Sequence, residues 1–205
     1  ETDWSHNKVL ISIVWGLLLL LLSLVINYFA GTYATAQAGA TVSDIILDHI
    51  PVVDLSGIFI YGIIAFFTFV VFLLIKQPKR APFVLKSLSV FIIVRAFFVS
   101  LTHIGPAQLI IPISPDNIIS YFTFEGDLFF SGHTGLPFLM ALIFWEKFWL
   151  RNLFLYTSVL FGMVVLLGRW HYSIDVFAAF FITYGIFKIS TTLFKKEFHL
   201  LNSVK

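Results

Sequence analysis

The chain contains no cysteine. Disulfides, thiolate nucleophiles and cysteine-ligated metal sites are therefore excluded, an absence compatible with either side of a membrane. Charge is scarce as well. Asp, Glu, Lys and Arg make up 12% of the 205 residues, about half the share of a soluble domain. There is no internal repeat and no low-complexity tract, and the length suits a single domain over residues 1–205 with no separate soluble module. What fills the sequence is apolar: 59% of residues are hydrophobic, twenty-five of them Phe, and the mean hydropathy is +0.96. Phe suits lipid contact, and Trp and Tyr suit the interfacial belts. The composition is that of an integral membrane protein. Its partners are expected to be membrane lipids, not nucleic acid, and the oligomeric state stays open.

About 20 apolar residues cross a bilayer. The runs predict an all-α membrane protein of six transmembrane helices in one bundle, at about residues 9–30, 55–75, 83–103, 134–149, 153–168 and 172–194. The fourth and fifth runs are short, and Ser131 to Thr134 supply an extra turn for the fourth. The chain begins at Glu1. Its first run is about twice the length of a signal-peptide core and has no small-residue cleavage site after it, so it reads as a true span. Between the first two spans, the weak amphipathicity of Gly31–Pro51 suggests a short interfacial helix. Gly105–Phe130, with Pro106, Pro112 and Pro115, reads as an irregular loop over a lipid entrance.

The connections separate by sign. Lys8, Lys76, Lys79, Arg80, Lys86, Lys147, Arg151, Lys188, Lys195, Lys196 and Lys205, eleven of the thirteen Lys and Arg residues, fall on one side. The positive-inside rule makes that side the cytoplasm, with both termini there. The opposite loops hold Asp44, Asp48, Asp54, Asp116, Glu125 and Asp127 and no Lys. The two remaining cations are Arg95, in the outer half of the third span, and Arg169, at the outer end of the fifth. Both lie level with two polar islands, Ser131-Gly132-His133-Thr134 and His171-Tyr172-Ser173-Ile174-Asp175. The expected setting is a multi-pass plasma membrane, or bacterial inner membrane, with the site on its extracytoplasmic side.

Ionisable side chains at membrane depth are costly unless they work. His171 and Asp175 are four apart at the start of a span, which puts them on one helical face. The carboxylate can hold one ring nitrogen protonated and leave the other as a nucleophile. As a purely structural residue, His171 would cap the helix. His133 follows a glycine that permits close approach of a ligand. A helix beginning there would present N–H groups to phosphate, with His133 as general acid; the structural alternative is a capping segment built on Ser131 or Thr134. Arg95 matches phosphate in bidentate geometry, or else pairs with an outer acid. Ser131, Gly132, Thr134 and Arg169 complete the candidate phosphate-binding set. His103 reads as interfacial, and Asp54, Glu125 and Asp127 take no assigned role. Two His and one Asp could bind a metal, but the nearby arginines would repel a cation, so neither metal nor cofactor is expected.

Gly126-Asp127-Leu128-Phe129-Phe130-Ser131-Gly132-His133-Thr134 and His171-Tyr172-Ser173-Ile174-Asp175-Val176 resemble two signature stretches of the sphingomyelin synthases, within the wider type 2 phosphatidic acid phosphatase superfamily. Arg95 with Gly105-Pro106 is similar to their upstream signature, and Pro51-Val52-Val53-Asp54 to their first. The resemblance spans about residues 50–190. It implies that His171 is the nucleophile oriented by Asp175, that His133 protonates the leaving group, that Arg95 binds phosphate, and that no metal takes part. The superfamily's phosphatases carry a Lys seven residues before the Arg and a Pro after it, where this chain has Leu88 and Ala96. That difference favours the synthase branch. The compact length and Arg169 favour a smaller relative, such as a bacterial one, with another lipid substrate. The expected activity is metal-independent transfer of a phosphate or phospho-head-group from a lipid, through a phosphohistidine, to water or to a lipid hydroxyl. The competing readings are a lipid or anion transporter and a non-catalytic lipid-binding membrane protein.

Overall fold

The computed structural model describes residues 4–110 and 128–203. Glu125, Gly126, Asp127, Asp116 and most of the loop assigned to Gly105–Phe130 lie outside the described residues. Among the described residues every regular element is helical: α1 (His6–Ala36), α2 (Ser56–Lys76), α3 (Ala81–Leu101), α4 (Gly132–Ile143), α5 (Phe148–Leu167), α6 (Ser173–Leu193) and α7 (Lys195–Asn202), with single 3-10 turns at Leu47–His49 and Pro78–Arg80. Among the described residues, five helices are long and apolar enough to cross a membrane: α1, α2, α3 with its preceding turn, α5 and α6. Large apolar side chains line the outside of these helices, among them Leu10, Trp15, Leu21, Phe29, Tyr61, Val71 and Phe181. Such faces lose nothing in hydrocarbon, whereas in water they would form an apolar patch far larger than a soluble monomer carries. The molecule is an integral membrane protein.

Helix α4 has 12 residues, about 18 Å at 1.5 Å per residue, and does not reach across a hydrocarbon core of ~30 Å. Its apolar run continues to Trp149, but the helix stops at Ile143, and Phe144 to Lys147 turn into α5. Pro137 lies inside α4 and leaves the His133 carbonyl without its usual helical donor.

Gly31–Pro51 differs from the expected interfacial helix. α1 runs on through Ala36, and the rest is irregular apart from the Leu47–His49 turn. The backbone finds partners elsewhere: Gly39 N–H donates to the His103 carbonyl and Gly105 N–H to the Ala40 carbonyl. The Asp44 carboxylate takes the Ile46 and Leu47 N–H groups. Such local side-chain bonds compete directly with helix formation.

α1 packs lengthwise on α3, while α4 is held between α5 and α6, with α3 also against α6. Gly135 makes the α3–α4–α6 junction possible. A Cβ there would stand 2.8 Å from the Phe91 ring and from Thr183 Oγ1. The core over these helices is largely aromatic, with Phe83, Phe91, Phe130, Phe144 and Phe154 fully enclosed. At the end of the bundle opposite the histidines, the Lys86 ammonium of α3 meets Glu197 of α7 and Ser12 of α1.

Candidate active site

The site is made where the starts of α4 and α6 meet. Ser131 is the N-cap of α4: its Oγ accepts the Thr134 N–H at 3.3 Å, satisfying one of the donors that open every helix. The Ser131 N–H donates to the carbonyl of Asp175 at 3.0 Å, which ties the two islands together through the backbone. Arg95 reaches this junction from α3. It is buried, and its Nε donates to the Phe130 carbonyl at 3.0 Å. A Cβ on Gly132 would lie 3.5 Å from Arg95 Nε, an ordinary contact, so the start of α4 runs beside the guanidinium.

The second island hangs on a sharp reversal after α5. Gly168 closes that helix, and Arg169 takes φ +62°, a left-handed conformation that costs a non-glycine residue energy. The Trp170 ring folds back over Gly168, where a Cβ would come within 2.2 Å of it. His171 then meets the first turn of α6. Its Nδ1 lies 3.1 Å from Asp175 Oδ2, and the same oxygen accepts the Tyr172 N–H at 3.0 Å. His171 is 6% exposed and Asp175 1%. A carboxylate can only accept, so Nδ1 carries the hydrogen and the lone pair of the neutral ring sits on Nε2.

His133 approaches from α4. Its Nε2 lies 3.1 Å from the Phe59 carbonyl of α2, an acceptor that keeps a hydrogen on that nitrogen. The imidazole stacks on the Phe59 ring at 4.0 Å and 22°, and Phe59 in turn packs on Trp170 at 4.4 Å. The ionisable side chains that act on His133 are His171 and Arg95. Two imidazoles and one guanidinium thus share a site in which a phosphoryl group can be attacked by His171 Nε2 and neutralised by Arg95, with Nδ1 of His133 left to exchange a proton.

Not every candidate phosphate ligand points the same way. Thr134 gives its N–H to Ser131, and its Oγ1 lies 3.4 Å from the Cβ position of Gly162, toward α5. Its carbonyl accepts from Ser158 Oγ at 2.7 Å. Arg169 donates from Nη2 to the Ile50 carbonyl at 3.1 Å. It lines a polar cavity of about 280 Å³ shared with Asp44, Asp48, Gln108 and Tyr172. His103 packs edge-on against Tyr33 at 5.4 Å. Asp54 accepts the Ser56 N–H at 3.0 Å and so caps α2.

Sequence reasoning passed over Phe59, Tyr172 and Asp44. Phe59 carries no signal among twenty-five phenylalanines. Tyr172 lies inside the second island, and its hydroxyl donates to the Gly105 carbonyl at 2.9 Å and accepts the Val42 N–H at 3.2 Å. Asp44 reads as one more acid in an outer loop, yet it is buried and accepts the Ser173 N–H at 2.7 Å. Burial pushes its carboxyl up, but hydrogen bonds from Ser173, Leu47 and Ile46 outweigh this and hold it below the ordinary value of 3.8.

Residues 126–192 match the family model described as PAP2 superfamily C-terminal. The matched stretch contains both islands, and Arg95 precedes it. That stretch, about a third of the chain, is similar to the C-terminal part of the PAP2 superfamily. No curated protein and no solved structure matches the chain.

Proposed function

We propose that this protein transfers a phosphate or phospho-head-group from a membrane lipid through a covalent intermediate on His171, without a metal. The observation that carries the reading is the pairing of His171 Nδ1 with Asp175, which leaves Nε2 as a nucleophile beside His133 and Arg95. Nε2 attacks phosphorus and the bond to the leaving oxygen breaks. That oxygen takes its proton from Nδ1 of His133 in its imidazolium form, because Nε2 keeps its hydrogen on the Phe59 carbonyl, and the imidazolium formed at His171 is stabilised by Asp175. Arg95 neutralises charge building on the phosphoryl oxygens, assisted by the opening N–H groups of α4. In the second step a hydroxyl attacks phosphorus, His133 takes its proton, and the N–P bond breaks. Water as acceptor makes the enzyme a phosphohydrolase, and a lipid alcohol makes it a synthase. Arg169, held by Ile50, adds positive potential at the rim. In the same reading the chain is a smaller relative of the sphingomyelin synthase-like branch. It crosses the membrane six times, with α4 and the chain leading into it as one crossing. Both termini lie in the cytoplasm and the histidines face outward, as the charge asymmetry of the connections supports.

The test uses purified protein with a panel of phospholipids and phosphatidic acid, each with and without diacylglycerol or ceramide, in the presence of EDTA. Wild type is expected to release or transfer the phospho-group. His171→Ala is expected to lose at least about a thousandfold in kcat, and His133→Ala about 10²- to 10⁴-fold. Equal rates for wild type and His171→Ala would overturn the phosphohistidine reading.

A further inference from the structure

We infer that Asp44 is a positioning residue for His171, its carboxylate clamping the α1–α2 connection onto the first turn of α6 and holding the register in which Asp175 orients the imidazole. The inference rests on the proposed role of His171 and adds a residue that neither island contains.

Its two oxygens face opposite ways. Oδ1 accepts the N–H groups of Ile46 at 2.9 Å and Leu47 at 3.1 Å, inside its own loop. Oδ2 accepts the N–H of Ser173, the first residue of α6, at 2.7 Å. That N–H is one of the helix-opening donors with no partner inside the helix, and an anion beside it also meets the positive end of the helix dipole. The preceding N–H, of Tyr172, goes to Asp175 Oδ2. Two carboxylates from distant parts of the chain therefore hold consecutive amides of one turn. Asp175 alone bonds both the turn and the His171 ring, so any slip of the turn is passed to the 3.1 Å contact between them.

The clamp has a firm base. The Tyr172 hydroxyl bridges Val42 and Gly105, and Gly39 and Gly105 join their two connections through backbone bonds to His103 and Ala40. A Cβ on Gly105 would stand 2.3 Å from the Gly39 carbonyl oxygen, so the two segments touch. Asp44 sits on a braced strap, not at a loop tip, and can impose a position on α6. Loss of the carboxylate leaves the Ser173 N–H without its anion and the strap without its link to the turn.

The experiment reads the imidazole directly. Protein with ¹⁵N-labelled histidine rings is placed in lipid nanodiscs, and the His171 signals are assigned by their loss in His171→Gln. Wild type is expected to show one His171 tautomer, hydrogen on Nδ1. Asp44→Ala is expected to show a mixture of tautomers, with exchange of the Ser173 amide faster by about fivefold, the scale of a lost helix cap. Asp44→Asn keeps the shape of the residue but has one acceptor oxygen for two sides. It is expected to shift both readouts in the same direction, and it serves if the alanine variant does not fold. On any lipid that wild type turns over, kcat is expected to fall about tenfold with KM within about twofold. A single Nδ1–H tautomer and unchanged Ser173 exchange in both variants would refute the role of Asp44 and leave the phosphohistidine reading intact. A wild type without that single tautomer would overturn the His171–Asp175 pairing itself, and both readings with it.

Discussion

Room for a methyl group differs sharply among the glycines of these helices. Gly168 is the sharpest case, because the Trp170 ring occupies the volume its side chain would fill, at 2.2 Å. Trp170 packs on Phe59, and Phe59 carries the His133 ring. Gly168→Ala is therefore expected to destabilise the protein by about 1–3 kcal/mol, the cost of overpacking, and to lower turnover as His133 shifts. Thermal unfolding and the lipid assay read the two effects. Gly185, in α6, is the control. Nothing lies within 4 Å of its Cβ position, so Gly185→Ala is expected to be neutral or to stabilise by up to about 1 kcal/mol, since alanine is the better helix former. Equal effects of the two substitutions would contradict the packing described for Trp170.

At the scale of elements, Glu197 gives α7 a polar hold on the bundle. Glu197 receives the Lys86 ammonium and the Ser12 hydroxyl. Burial pushes the Glu197 carboxyl up, but Lys86 and Ser12 outweigh it and hold the group below its ordinary value of 4.5. A depressed carboxyl adds stability above its unfolded pKa, and that stability is lost as pH falls through the lower folded value. The unfolding temperature is therefore expected to drop as pH is taken from about 5 to below 4.5, and the drop should be smaller in Glu197→Gln. At neutral pH that variant leaves Lys86 buried without its anion, at a cost of about 3 kcal/mol. Wild type and Glu197→Gln with the same pH profile would show that the contact does not hold α7.

At the scale of the whole molecule, the absence of cysteine makes topology directly measurable. Single cysteines at the exposed positions Ser5, Gln108 and Ser203 can be probed with a membrane-impermeant maleimide in sealed vesicles. The proposed orientation expects Ser5→Cys and Ser203→Cys to react from the cytoplasmic side and Gln108→Cys from the other. Labelling of Ser5→Cys and Ser203→Cys from opposite sides would rule out an even number of crossings. Membrane residence, the apolar helices and the two polar islands were legible in the sequence, because long apolar runs and costly ionisable groups are local properties of composition and spacing. The His171–Asp175 contact was legible for the same reason, since four residues on a helix make one face. Other features depended on what comes together from afar. The short α4, the irregular strap where a surface helix was expected, the turn of Thr134 toward α5 and of Arg169 toward Ile50 all follow from partners in distant segments. So does the role of Phe59 beside His133 and of Asp44 beside Ser173. The sequence determined by itself that an oriented histidine lies in a membrane. Tertiary structure decided what holds it there, because a hydrogen bond is set by distance in space and leaves no period or spacing along the chain.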